Sequence, residues 1–486
     1  MNDDLHRILI KGGVTSPGEL KDIIAMLEAG GLKEVFFGSR QDLLFPLQNA
    51  AEEQLEKISK FNTDIVSERS YQNIVSSYVS ADIFDMTHWL KGSTYLYILE
   101  GFDFLPKLKI NITDPKQRLV PVFNGNLNFI ASENEDYWYL NIKLPDWKES
   151  AFYPVLVYSW DITILAKAIE DIYEDVANVE ELFFILNKKL DTNNRTIEKE
   201  LEIPYLKFPY YEGMNRMGLD QYWLGLYWRN NRYDLDFLKE LCGFCLDNSI
   251  GKICITPWKS FVIKGIKSGS RPELERFLGQ KGINIRHSQL EMNWHLPVDD
   301  NEAMELKNFL VRSFDQNDIS TYGLTFGISN ESGKRTHFSS VIIEKNTLPT
   351  IVKDFDVRPT YNVLHFKNFD PNTQIYKAYA QDVDKIELPG LLMELSKYYF
   401  EQLGKTEKKI EPTKKKVVAT TREIHQCEAC FTVYDATYGD AKANISIGTL
   451  FDALPATYEC PVCEAPKSSF VKTEISISEV KQPRQR

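Results

Sequence analysis

Cys427-Glu428-Ala429-Cys430 and, after 29 intervening residues, Cys460-Pro461-Val462-Cys463 are the stretches that decide the C-terminal fold. Each pair has the spacing of a tight turn that aims two thiolates and several backbone N–H groups at one point. Two such turns supply the four sulfurs of a tetrahedral site. Zinc and iron both accept that donor set, and the cysteines alone do not choose between them.

Four of the seven cysteines lie in these pairs; the others are Cys242, Cys245 and Cys254. An odd count in a long chain does not read as a disulfide framework. Cys242-Gly-Phe-Cys245 has the spacing of a redox pair, but it sits on a helix-like stretch, so buried core cysteines are expected. Cys254 reads as a core strand residue.

The chain has 486 residues, 43% of them hydrophobic and 12% aromatic, ample for several domain cores. Its longest apolar runs, near Tyr95 to Leu99 and Val155 to Tyr158, fall far short of the ~20 residues of a membrane helix. The N-terminus has early acids and no long apolar stretch, so no signal peptide and a cytoplasmic location are expected. A net charge of −12 disfavours nucleic-acid binding. No GxGxxG or P-loop pattern is present, so no nucleotide site is expected.

Residues 405–416 contain six lysines, two glutamates and one proline, and read as a solvated tether. Before it, helix-like and strand-like patterns occur twice in the same order. Gly38-Ser-Arg-Gln-Asp-Leu-Leu-Phe45 aligns with Thr256-Pro-Trp-Lys-Ser-Phe-Val-Ile263, and an internal duplication over about 1–190 and 200–400 is expected.

Around the cysteines stand Val433-Tyr434-Asp435, Gly439-Asp440, Gly448-Thr449, Phe451, Leu454-Pro455, Tyr458, Pro461, Lys467 and Phe470. Together with the ligand spacing, this pattern resembles the rubredoxin family. The resemblance implies one iron ion cycling between Fe3+ and Fe2+ on Cys427, Cys430, Cys460 and Cys463. Four thiolates leave no open coordination position, so one-electron transfer is the expected chemistry, with potential tuned by N–H···S bonds and burial. Two departures stand out. Phe431 and Glu464 occupy positions that rubredoxins usually give to glycine, and Tyr458 replaces the more common tryptophan. A structural zinc site of the same shape is the competing expectation.

The duplicated body resembles the sirohaem-dependent nitrite and sulfite reductases over residues 12–45, 73–143 and 252–266. That resemblance implies an α+β multidomain fold, a duplicated reductase-like body with ferredoxin-like half-domains plus the small metal-stapled rubredoxin domain. The expected division is 1–65 and 200–280 for the half-domains, 66–195 and 281–402 for the larger α/β regions, 403–422 for the linker and 423–475 for the rubredoxin domain.

By the same resemblance, Arg40 within Ser39-Arg40-Gln41, and Lys107 and Lys109 within Leu105-Pro-Lys-Leu-Lys109, are candidate cations for an oxyanion or for sirohaem carboxylates. Gln72 stands where the family has a further arginine. No cysteine lies between Ile266 and Thr421, so no [4Fe–4S] cluster is expected and sirohaem is the weaker expectation. His287 and His295 are the candidate axial ligands. The aromatic segment 210–233 is expected to be core or subunit contact. The favoured function is electron transfer between a donating reductase and an acceptor such as a nitrite, nitrate or sulfite reductase, with the body docking the acceptor. The alternatives are a sirohaem oxyanion reductase fed by the rubredoxin iron, and a zinc scaffold without redox chemistry.

Overall fold

In the computed structural model the described residues are 5–46, 65–66, 71–283, 285, 292–330, 338–346, 351–352, 355–356, 358–406, 420–430, 432–436, 439–440 and 443–477. The chain forms two compact units, Met1–Gln402 and Leu403–Arg486. Residues 407–419 of the expected tether, His287 and Phe431 lie outside the described residues.

The N-terminal unit begins with β1 (Leu5–Ile8) and β2 (Val14–Thr15), then a helix, Pro17–Ala29, β3 (Glu34–Phe37), β4 (Leu43–Pro46) and β5 (Ile65–Val66). The helix starts where Ser16 and Glu19 cap each other reciprocally, with Pro17 in the first turn. It stops at Gly30-Gly31; Gly31 takes φ +83°, a conformation glycine adopts without strain. Next come β6 (Val75–Ser76), β7 (Ile110–Thr113), β8 (Leu127–Ala131), β9 (Tyr137–Ile142), β10 (Ala151–Phe152), β11 (Val155–Tyr158) and β12 (Asn194–Thr196), forming one seven-stranded sheet.

A second series follows. It comprises β13 (Gly213–Met217), β14 (Gln221–Leu226), β15 (Tyr233–Asp234), a helix, Leu235–Asp247, β16 (Ile253–Ile255) and β17 (Phe261–Lys267). Beyond it lie β18 (Trp294–His295), β19 (Phe326–Ser329), β20 (Val341–Lys345), the short pair β21 (Ile351–Val352) and β22 (Phe355–Asp356), β23 (Thr360–Phe366) and β24 (Tyr376–Asp384).

The duplication is visible strand by strand. The two small sheets run β15-β3-β4-β1-β5 and β2-β16-β17-β14-β13. Each therefore takes one edge strand from the other repeat: Tyr233 pairs with Val35, and Thr15 with Ile253. One apolar core, from Ile8, Leu27, Phe37 and Phe45 to Leu226, Phe237, Phe261 and Ile263, fills both. The larger sheets repeat as well. The series β6-β7-β8 is parallel and meets antiparallel β9; β18-β19-β20 is parallel and meets antiparallel β23.

Even the turns match. Gly38 N–H donates to Asp42 O (2.8 Å) with Gln41 at φ +59°; Thr256 N–H donates to Ser260 O (2.9 Å) with Lys259 at φ +58°. Trp258 is thus the second-repeat counterpart of Arg40.

The C-terminal unit holds a three-stranded sheet of β25 (Thr420–Cys427), β26 (Val433–Tyr434) and β27 (Phe470–Ile477), in the order β26-β25-β27. Its core is Tyr434, Phe451, Leu454, Tyr458 and Phe470 packed against Cys427 and Cys460. So few apolar residues are a marginal core, and a bound metal supplies folding energy to a domain of this kind.

Candidate metal centre

Two turns build the site. In the first, Cys427 N–H donates to Thr432 O (2.8 Å); in the second, Cys460 N–H donates to Ala465 O (2.8 Å), and Glu464 N–H to Cys460 O (2.9 Å). This brings the Sγ atoms of Cys427, Cys430, Cys460 and Cys463 within 4.8 Å of one another. Cys430 Sγ lies 3.4 Å from Cys460 Sγ, and Cys427 Sγ 3.7 Å from Cys463 Sγ. A metal–thiolate bond of about 2.3 Å in a tetrahedron gives sulfur–sulfur edges of about 3.8 Å, so the cage fits one ion.

The environment favours thiolate on one side and strains it on the other. The Thr432 hydroxyl, 3.1 Å from Cys430 Sγ, and the Thr432 amide draw the Cys430 pKa down to about 6. At Cys463 the Ala465 amide favours the thiolate, but the sulfur of Cys430, burial and the other two sulfurs outweigh it and push the thiol up to about 12. A bound cation removes that conflict by holding all four as thiolates. Cys427 and Cys460 are buried, whereas Cys463 is exposed beside Val462, itself 69% exposed.

The ring cluster behind the sulfurs is tied down by polar atoms. Tyr458 OH donates to Asp440 Oδ2 (2.9 Å), and Tyr434 OH donates to Thr449 O (2.9 Å). His425 stacks on Phe451, with ring centroids 4.0 Å apart. Lys467 Nζ donates to Leu454 O (2.7 Å) and lies over the same Phe451 ring. Glu464 holds φ +60°, the conformation for which glycine is the usual residue.

A sequence model of the rubredoxin family matches residues 424–470. The probable rubredoxin HupI of Bradyrhizobium diazoefficiens is 51% identical over 49 residues, which are 10% of this chain and 71% of that protein. The chain belongs, through this domain, to the rubredoxin family. A rubredoxin of Synechocystis is 42% identical over 62 residues; they make up 13% of this chain and about half (54%) of that relative. The body is similar in fold to the NirA protein of Mycobacterium tuberculosis, with a TM-score of 0.64 at 13% identity, covering 81% of this chain and 80% of that one. The rubredoxin domain's four cysteines and its aromatic core were legible from spacing. The contacts of Thr432 with Cys430 and the tie from Tyr458 to Asp440 were not, since nothing in their spacing marks them.

The candidate cations of the body stand in different settings. Arg40 is turned inward: Nη1 donates to Asn111 Oδ1 (2.7 Å), and Nη2 to Asn73 O (2.7 Å) and Ile110 O (2.9 Å). Lys107 is exposed, its amide donating to Glu170 Oε2 (2.9 Å). Lys109 stands at a cleft of about 440 Å³ lined also by Lys143, Phe208, Trp258, Phe338 and Tyr376. Desolvation, then repulsion from Arg40 and Arg7, lowers its pKa.

Cys242 and Cys245 lie buried in the helix Leu235–Asp247, and burial pushes Cys242 up to about 12 and Cys245 higher still. Such thiols are poor nucleophiles. Cys254 is a buried strand residue. Trp223 and Trp228 are buried, whereas Tyr210 of the same aromatic segment is exposed. His295 packs against Phe338 and Trp258 (4.4 and 6.5 Å between ring centroids). Among the described residues no helix is long and apolar enough to cross a membrane.

Proposed function

We propose that this protein transfers single electrons through the Cys427, Cys430, Cys460 and Cys463 centre, serving assimilatory reduction of nitrite, nitrate or sulfite, with the body docking the acceptor. The observation that carries the reading is the four-sulfur cage inside a domain that matches the rubredoxin family. Iron, when bound, supplies an Fe3+/Fe2+ couple.

The chain's own residues set the conditions for that couple. Cys427 and Cys460 keep two sulfurs away from water, and the Thr432 hydroxyl and amide stabilise charge on Cys430. Exposed Cys463 and Val462 form the edge at which a partner can approach the centre closely. The rubredoxin segment 421–475 carries more acids than bases, which suits a basic partner face and makes association weaken as salt rises. The NirA-like fold of the body supports the link to oxyanion reduction.

The test is an absorption spectrum before and after dithionite, with iron and zinc counted on the same sample. Charge-transfer bands that bleach on reduction, with about one iron per chain, are expected. A colourless protein holding zinc after expression in iron-replete medium would sink the proposal.

A further inference from the structure

We infer that the Thr432 hydroxyl donates a hydrogen bond to the Cys430 thiolate once a metal is bound, and that this bond holds the centre's reduction potential above the value its backbone amides alone would give. The inference deepens the electron-transfer function proposed above and rests on it.

Cys430 Sγ and Thr432 Oγ1 lie 3.1 Å apart, with the free thiol as the donor. A thiolate held by a metal has no proton to give, so the hydroxyl becomes the donor of the same pair and the sulfur its acceptor. Among the described residues this hydroxyl has no other hydrogen-bond partner. No other side-chain nitrogen or oxygen among them hydrogen-bonds any of the four sulfurs.

The two turns provide a comparison within one molecule. Cys427 N–H donates to Thr432 O and Cys460 N–H to Ala465 O, both at 2.8 Å, so Thr432 and Ala465 occupy the same step of their turns. Each aims its own amide at the second sulfur of its pair, Cys430 and Cys463. Backbone donors of this kind come with the turn whatever the sequence. The hydroxyl does not: Thr432 supplies one and Ala465 cannot. Cys430 therefore has a side-chain donor that exposed Cys463 lacks.

The bond acts on the couple through charge. Four thiolates around Fe3+ sum to one net negative charge; one electron from a donor gives Fe2+ and a second negative charge. A hydrogen bond to an ionised acceptor strengthens as that acceptor becomes more negative. Thr432 thus stabilises the reduced state more than the oxidised one and raises the potential. Its proton stays on oxygen throughout, and no ligand bond breaks.

Thr432→Val keeps the branched side chain and removes the donor. In spectroelectrochemistry of the iron-loaded full chain, the ratio of reduced to oxidised centre at a fixed applied potential should fall by about threefold, equivalent to a potential about 30 mV lower. Thr432→Ser restores the hydroxyl and should return the potential to near the wild-type value. Ala465→Ser places a hydroxyl at the matching step of the second turn and should raise the potential. A valine variant at or above the wild-type potential, or a serine at 432 that behaves like valine, would overturn the inference. Should the valine variant fail to hold metal, Ala465→Ser decides: a rise supports the inference, and an unchanged potential refutes it.

Cobalt-substituted protein reads the bond without the iron couple. A donor lowers the energy of the sulfur lone pairs, so Thr432→Val should move the thiolate-to-cobalt charge-transfer band to longer wavelength. A band that does not move strikes the hydrogen bond and leaves the electron-transfer reading standing. A chain that takes cobalt and shows the shift but refuses iron strikes the electron-transfer reading, and the claim about potential with it.

Discussion

Replacing Glu464 with glycine should make the rubredoxin domain more stable. Glu464 holds φ +60° in the turn that carries Cys460 and Cys463, and its side chain is exposed. A left-handed backbone costs a residue with a Cβ roughly 1–2 kcal/mol. Glycine removes that cost but gives back roughly 0.5–1 kcal/mol in unfolded-chain entropy. Taking the middle of each range, the net gain is about 0.75 kcal/mol. The amide bond from Glu464 to Cys460 O survives, because it belongs to the backbone. With a urea dependence of about 1 kcal/mol per molar for so small a domain, the unfolding midpoint rises by about 0.75 M. The assay is urea unfolding of zinc-loaded protein, whose metal does not change oxidation state, followed by the tyrosine signal of the cluster at Tyr434 and Tyr458. Glu464→Ala is the control: it removes the carboxylate but keeps the Cβ, so it should recover less than half of the gain. A glycine variant with an unchanged or lower midpoint, or an alanine variant that equals it, would refute the strain argument.

Tyr458→Phe removes the donor to Asp440 Oδ2 and leaves a nearly buried carboxylate short of a partner; a loss of about 1–2 kcal/mol, read in the same urea titration, is expected. Stripping the metal should expose the amides of residues 424–470 to hydrogen exchange while the strands of the N-terminal unit keep their protection, since the two units are separately compact. Loss of protection in both would show that the metal supports more than its own domain.

The metal site was legible because its determinants are local. Two residues between cysteines is a spacing that one tight turn satisfies, and the aromatic residues that support it lie within the same fifty or so positions. The helix Pro17–Ala29 likewise has local determinants, the reciprocal Ser16–Glu19 cap at its start and Gly30-Gly31 at its end. The duplication was readable from the order of elements and from one pair of turns, Gly38 to Phe45 and Thr256 to Ile263, whose matched φ values at Gln41 and Lys259 the fold then displays.

What the tertiary structure decided lies where partners are distant in sequence. The exchanged edge strands, Val14–Thr15 and Tyr233–Asp234, have two residues each, too short for any periodicity, and pair with strands about two hundred positions away. Arg40 shows the same limit at the level of chemistry. By resemblance Arg40 is a candidate anion binder, and its acceptors in the fold lie far along the chain. Folding brings the oxygens of Asn73, Ile110 and Asn111 within 3 Å of its terminal nitrogens, and a buried charge settles on whatever acceptors replace its water. Spacing along the chain specifies which atoms a turn can gather, and only packing between distant segments specifies which of those atoms remain available to a ligand.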